Sequence, residues 1–172
     1  IVVTGAAGGV GTALVQLAKL RGARVVAVTT ASKFDDVAAC GADVLVDRSS
    51  GDLSGAVAEA AGGPVDVWAD VVGGPDFALL LELLRRGGRY TTAGAIAGPM
   101  VELDLRTLYL NDLELYGCTV YGPEVFTALV GYIERGEVRP VVAGTFPLTD
   151  IHAAQEAFVA KRHTGNLVIT VD

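Results

Sequence analysis

Residues 1–22, IVVTGAAGGVGTALVQLAKLRG, constrain the fold more than any other stretch of this chain. IVVT reads as a buried strand. GVGTALVQLAKLRG reads as a helix with Val10, Leu14, Leu17 and Ala18 on one face and Gly22 just past its end. A short glycine-rich turn joins the two, so the helix must lie back along its own strand, the first half of a parallel crossover. The turn can be parsed as T-G-x-x-x-G-x-G through Thr4, Gly5, Gly9 and Gly11, or as A-x-G-x-x-G through Ala6, Gly8 and Gly11. In the second parse Ala6 replaces the glycine of the first tight turn. Gly8 lets the backbone approach a pyrophosphate, and Gly11 lets the helix pack on the strand. The first helical N–H groups, at Gly9 and Val10, would then face that anion, reinforced by the helix dipole. A glycine turn without a ligand is the competing reading.

The same alternation continues to the end of the chain. RVVAVTT (24–30) is a second strand, and SKFDDVAACG (32–41) a helix opening on a Ser32/Asp35 capping box. DVLV (43–46) is a third strand, DLSGAVAEAAG (52–62) a weaker helix and VDVWADVV (65–72) a fourth strand. PDFALLLELLRRGG (75–88) predicts a helix with proline at its start and glycines at its end, and GRYTTAG (88–94) a fifth strand. A short helix over 104–112, a sixth strand LELYGCTVY (113–121) and a helix PEVFTALVGYIERG (123–136) follow. The tail adds RPVVAGTFPL (139–148), a helix from about Thr149 to Lys161 and a strand NLVITV (166–171). This order predicts an α/β fold, a right-handed, doubly wound parallel sheet of six strands with a short C-terminal extension.

Composition agrees and removes several functions. At 172 residues, with 51% hydrophobic residues and 22 glycines, the chain suits one domain with a sheet buried on both faces. A net charge of −7 argues against a nucleic-acid partner. Cys40, Cys118, His152 and His163 are too scattered for a zinc site, and no metal ligands are assigned. The two cysteines read as buried free thiols, with a disulfide between them as the other possibility. Both histidines read as surface residues. The first 18 residues are uncharged, but glycines, threonines and a glutamine dilute them and no basic segment precedes, so neither a membrane span nor a targeting signal is read and a cytoplasmic location is expected. Opening directly on a core strand, without Met, predicts a piece of a longer polypeptide.

The first parse of the turn belongs to short-chain dehydrogenases, which need Tyr-x-x-x-Lys so that the lysine lowers the tyrosine pKa. None of the five tyrosines is followed by lysine at that spacing, and the only lysines are Lys19, Lys33 and Lys161. That reading falls. VVTGAAGGVGTALVQLAKLRGARVVAVT, ADVVGG after the fourth strand, AG after the fifth and the closing FPL, AAQEAF and KRHTGNLVI together resemble the medium-chain dehydrogenase/reductases, most closely their quinone-oxidoreductase-like, often zinc-free branch. The resemblance covers essentially the whole chain. Many relatives read Thr-Gly-Lys where this chain has Thr164-Gly165-Asn166, which weakens a lysine contact there. The resemblance implies a Rossmann cofactor domain over 1–138. It also implies an extension, 139–172, that packs toward an amino-terminal GroES-like catalytic domain absent from this sequence.

An NAD enzyme of this fold places an acid at the end of the second strand to bind the adenosine ribose. Here that place holds Thr29, Thr30, Ala31 and Ser32, then Lys33, with Arg48 after the third strand. Hydroxyls and cations without a carboxylate favour NADP(H), whose 2′-phosphate they can pair. Ser32 as a cap and Lys33 and Arg48 as solvated cations are the plain alternatives, and Asp35 and Asp36, past the helix start and read as facing away, are the nearby acids that would argue for NAD. Val72 and Gly73, and Gly94 and Ala95, end the fourth and fifth strands at the carboxyl edge and are further candidate contacts.

Two classes of function follow. One is the cofactor domain of an NADP(H)-dependent oxidoreductase that sends hydride to a quinone, enone or related carbonyl, with enoyl-thioester reduction and zinc-dependent alcohol oxidation as variants. Alone it would turn over poorly, and no catalytic residue can be named. The other is a non-catalytic nucleotide-binding or structural module. The sixth strand, 113–121, lies at the sheet edge in the expected order, and the resemblance implies a homodimer through it. The tail is expected to expose an apolar face bounded by Val141, Val142, Phe146 and Pro147.

Overall fold

The computed structural model describes residues 1–171. Its main sheet has six parallel strands in the order β3-β2-β1-β4-β5-β6. These are β1 (Val2–Thr4), β2 (Val26–Thr29), β3 (Val44–Asp47), β4 (Val65–Asp70), β5 (Leu84–Thr92) and β6 (Glu114–Gly117). The order reverses between β1 and β4, so β1 carries its loop at a switch point, where ligands of open α/β sheets bind. Alternate side chains of the central strands feed two separate cores. Val2, Trp68 and Tyr90 meet Val57, Phe77 and Leu80 on one face. Val3, Ala27 and Ala69 meet Val15 and Val37 on the other.

Helix α1 (Gly9–Leu20) packs through Gly11, Thr12 and Val15, whereas Val10 is exposed. The expected face was rotated by about one residue because Gly11, not Val10, meets the turn. The second helix is preceded by a single 3-10 turn, Ala31–Lys33, and only then runs as α2 (Phe34–Ala39). Ser32 therefore lies inside the turn, and the Ser32/Asp35 capping box does not form: no side chain caps α2. Helix α3 (Leu53–Ala61) starts at Asp52, whose carboxylate accepts from Gly55 N–H at 2.8 Å, and ends on left-handed Gly62.

The largest departure from the sequence reading is at 75–88. Helix α4 covers only Phe77–Leu81, and β5 begins at Leu84. Periodicity cannot separate a leucine run in a helix from one that changes structure midway. What decides is non-local: Leu84 pairs with Val65 and is buried, and Arg85 Nε reaches Asp66 at 2.5 Å. The register then slips across Gly87, which takes φ +69° and donates to Asn111 O at 2.8 Å. Helix α5 (Leu105–Leu110) and helix α6 (Pro123–Glu134) flank β6, which is shorter than its sequence reading.

The tail builds a second unit. Strands β7 (Val142–Pro147) and β8 (Asn166–Thr170) pair parallel as a separate two-stranded sheet, with α7 (Ile151–Ala160) as crossover. Of the four apolar residues singled out there, none is buried: Val142 and Pro147 are exposed, Val141 and Phe146 half-buried. The tail is tied back to the main sheet by a clasp in which Gln16 exchanges two hydrogen bonds with the backbone of Arg139, at 2.9 and 2.8 Å.

Candidate functional site

The glycine turn sits at the carboxyl end of β1 with its hydrogen bonds assigned. Ala6 is buried and donates to Val28 O at 3.2 Å, fixing the turn to β2. Gly8 N–H donates to Gly5 O at 3.0 Å, and Thr12 N–H closes on Gly8 O at 2.9 Å. Among the described residues no side chain caps α1, so the N–H groups of Gly9, Val10 and Gly11 lack the acceptors that a helix supplies further along. A Cβ on Gly11 would lie 2.2 Å from Gly5 O, so close helix–turn packing requires glycine there. Gly8 is exposed with φ −76°, and a Cβ on it would meet only Gly5 O, at 3.5 Å. Among the described residues nothing demands glycine at position 8, but a ligand lying on the turn would. The open backbone at Gly8 and the free first-turn donors fit a dinucleotide diphosphate.

Segment 161–166 runs beside this turn. Gly165 N–H donates to Ala7 O at 2.8 Å, and Gly8 and Gly165 form an isolated bridge. The Asn166 amide covers Gly9 so closely that a Cβ there would lie 2.1 Å from Oδ1.

The carboxyl end of β2 forms a corner that is cationic through Lys33 and Arg48, with the carboxylates of Asp36 and Asp47 beside it. Thr29 is buried, and its carbonyl accepts from Arg48 N–H at 2.8 Å, which places Arg48 beside the 3-10 turn. Ser32 and Arg48 are exposed and Lys33 is half-buried. Lys33 Nζ donates to Lys161 O at 2.8 Å and to His163 O at 2.7 Å. Partial burial, then the charges of Arg48 and Lys161, hold the Lys33 ammonium below its ordinary pKa, with Asp36 opposing. No acid stands in ion-pair contact with Lys33 among the described residues.

The strands β4 and β5 end at Asp70 and Thr92, and the loops that carry Val72, Gly73, Gly94 and Ala95 meet just beyond them. Ala97 N–H donates to Val72 O at 2.9 Å, and Gly73 bridges Gly98. A Cβ on Gly73, which takes φ +63°, would lie 3.2 Å from Ala95 Cβ, and one on Gly94 would lie 3.0 Å from Val71 O. Beneath this edge is a group that the sequence reading missed. Asp70 is 2% exposed and accepts from Thr4 Oγ1, from Tyr90 Oη at 2.9 Å, and from the N–H groups of Val72 and Gly73 at 2.9 and 3.0 Å. Trp68 Nε1 donates to Thr4 Oγ1 at 3.3 Å. Burial, then the Asp70 charge, push the Tyr90 phenol above its ordinary range, so it stays a donor. The signal was present: an aspartate inside VDVWADVV must find donors or stay out of the core. Asp70 orients the loop 71–73 toward the same edge as the glycine turn.

An apolar cleft of about 340 Å³ opens next to this loop, lined by Gly73, Phe77, Tyr90, Ala95, Val101 and Leu115. His152 is exposed, whereas His163 is half-buried against Phe158, with ring centroids 5.9 Å apart, rather than on the surface. Cys40 and Cys118 are free thiols, each half-buried. Among the described residues no three His, Cys, Asp or Glu side chains gather as metal ligands, and no helix is long and apolar enough to cross a membrane.

A doubly wound parallel sheet with a glycine turn opening a helix at its switch point is the architecture of a dinucleotide-binding domain. The family model described as zinc-binding dehydrogenase matches residues 9–135. The chain belongs to that family, as a cofactor-binding domain of the medium-chain dehydrogenase/reductases. It is 33% identical over 172 residues to an acryloyl-coenzyme A reductase of Metallosphaera sedula, covering 99% of this chain and 50% of the relative. A crystal structure from Sinorhizobium meliloti, described as an alcohol dehydrogenase, superposes with a TM-score of 0.94 at 52% identity, over 99% of this chain and 48% of that one. The 2-octenoyl-CoA carboxylase reductase CinF, solved with NADP and 2-octenoyl-CoA, gives 0.90 at 26% identity, over 99% and 42%. The chain thus spans about half the length of these relatives.

Proposed function

We propose that this chain is the NADP(H)-binding half of an oxidoreductase that delivers hydride to a conjugated carbonyl: a quinone, an enone or an α,β-unsaturated thioester. The observation that carries the choice of cofactor is the corner at the end of β2. Lys33 follows the end of β2, where an NAD enzyme would keep an acid, Arg48 follows β3 beside it, and among the described residues no carboxylate stands in ion-pair contact with Lys33, Asp36 acting on it only through its charge. The diphosphate would lie on Gly8 and the N–H groups of Gly9, Val10 and Gly11. The 2′-phosphate would meet Lys33, Arg48 and the Ser32 hydroxyl. The other end of the cofactor would run past Val72, Gly73, Gly94 and Ala95 toward the apolar cleft. Bound there, the nicotinamide supplies the hydride, and the chain's residues bind and orient it. The thioester variant is favoured by the names of two relatives, an acryloyl-coenzyme A reductase and a 2-octenoyl-CoA carboxylase reductase. A homodimer through the free edge of β6, and coverage of the tail's apolar face by a further domain, complete the proposal.

Calorimetric titration with NADPH and NADH tests it. NADPH is expected to bind more tightly, and Lys33→Glu to cost about 1.5–3 kcal/mol for NADPH while sparing NADH. A preference for NADH overturns the cofactor assignment.

A further inference from the structure

The proposed 2′-phosphate corner contains a part that motif reading does not supply. Lys33 is fastened by two backbone carbonyls, those of Lys161 and His163, far away in sequence. These carbonyls converge because Lys161, directly after α7, takes the left-handed conformation at φ 53°. The segment carrying them is itself anchored to the glycine turn, through Gly165 N–H on Ala7 O and through the Asn166 amide against Gly9. One short run, 161–166, therefore touches both the cationic corner and the turn where a diphosphate would lie.

An ammonium has three N–H groups, and the carbonyls take two. A lysine beside Arg48 and Lys161 is repelled by both, with only the Asp36 charge opposing them, and a four-carbon side chain without fixed acceptors is free to move into solvent. The two acceptors hold it in place and leave one donor for an anion.

Resting on the NADP(H) reading, we propose that the turn 161–163 is a specificity element for the 2′-phosphate, acting by positioning Lys33. Selectivity between the phosphorylated and unphosphorylated cofactor is then set partly by the backbone of the C-terminal segment. Movement of that segment alters cofactor choice without any change in the residues that face the ligand.

The experiment compares 2′,5′-ADP with 5′-AMP by titration on three variants. Lys33→Met removes the ammonium. Lys161→Gly removes the Lys161 charge but accepts the left-handed backbone, whereas Lys161→Pro removes the same charge and fixes φ near −65°, which displaces the carbonyls. Lys161→Pro is expected to bind 2′,5′-ADP at least fivefold more weakly than Lys161→Gly, with 5′-AMP bound equally by both. If Lys33→Met weakens 2′,5′-ADP while the two Lys161 variants bind it alike, the positioning role is overturned and the NADP(H) reading stands. If Lys33→Met leaves 2′,5′-ADP unaffected, the positioning role is overturned, and if the native chain also binds 2′,5′-ADP no more tightly than 5′-AMP, the NADP(H) reading falls with it. Should Lys161→Pro fail to fold, the native chain decides, its three lysine ammonium ¹⁵N signals being assigned by single Lys→Arg substitutions. The Lys33 signal is expected to be protected from solvent exchange without ligand and to shift with 2′,5′-ADP but not 5′-AMP. An unprotected ammonium overturns the proposal.

Discussion

At the scale of single residues, the side chain that most organises the carboxyl edge is Asp70. Its four donors come from β1, β5 and its own following loop, so the charge is satisfied without a counter-ion. The Tyr90 phenol pays for its burial by remaining protonated, and this has a pH consequence. The unfolded chain releases a tyrosine proton near pH 10, the ordinary value, whereas folded Tyr90 holds its proton to higher pH. The native state then binds more protons than the unfolded state, so Tyr90's contribution is complete below pH 10 and is lost as pH rises above it. Chemical denaturation from pH 8 upward is expected to show falling stability, with a shallower fall in Tyr90→Phe. An unchanged slope would remove Tyr90 as its source. Asp70 was not legible as a hub, because its partners Thr4 and Tyr90 stand 66 and 20 residues away.

At the scale of elements, the strand–turn–helix unit was legible almost in full because its parts are adjacent in the chain, although of its glycines only Gly11 meets a close contact inside the unit. Gly8 and Gly11 answer to different things, and substitution separates them. Gly11→Ala places a methyl against Gly5 O and Ala6 Cα, so α1 must move off the turn, at about 1–3 kcal/mol of stability. Gly8→Ala meets no such obstacle and is expected to change stability by less than about 0.5 kcal/mol. It should nonetheless weaken NADPH binding, because its methyl projects where the diphosphate would lie. Thermal unfolding and cofactor titration on both variants check this; tight NADPH binding by Gly8→Ala would contradict the placement of the ligand. The α4–β5 boundary was misread for the complementary reason, since Val65, Asp66 and Asn111 fix it from outside the segment.

At the scale of the whole molecule, β6 ends the sheet with one side unpaired among the described residues. Cys118 N–H points inward to Thr92 O at 2.8 Å, so by strand alternation the N–H groups of Leu115 and Gly117 face outward. A second copy pairing antiparallel along this edge would continue the sheet through a two-fold axis. Sedimentation at micromolar concentration is expected to show a dimer, and Leu115→Pro, which removes an outward donor while sparing the bonds to β5, is expected to shift it toward monomer. A native monomer, or a dimer indifferent to that substitution, excludes strand pairing.

The amino-acid sequence by itself determined the alternation of strands and helices, the doubly wound order, the glycine turn and the family. Each is written in periodicity, turn residues or motif order, which act over a few positions. Only the tertiary structure decided that Ser32 is no cap, that Leu84 begins a strand, that Asp70 gathers Thr4 and Tyr90, and that Lys33 is held by the carbonyls of Lys161 and His163. Those outcomes depend on which distant backbone groups arrive at the same place. Side-chain type alone does not encode where a carbonyl 128 residues away will point.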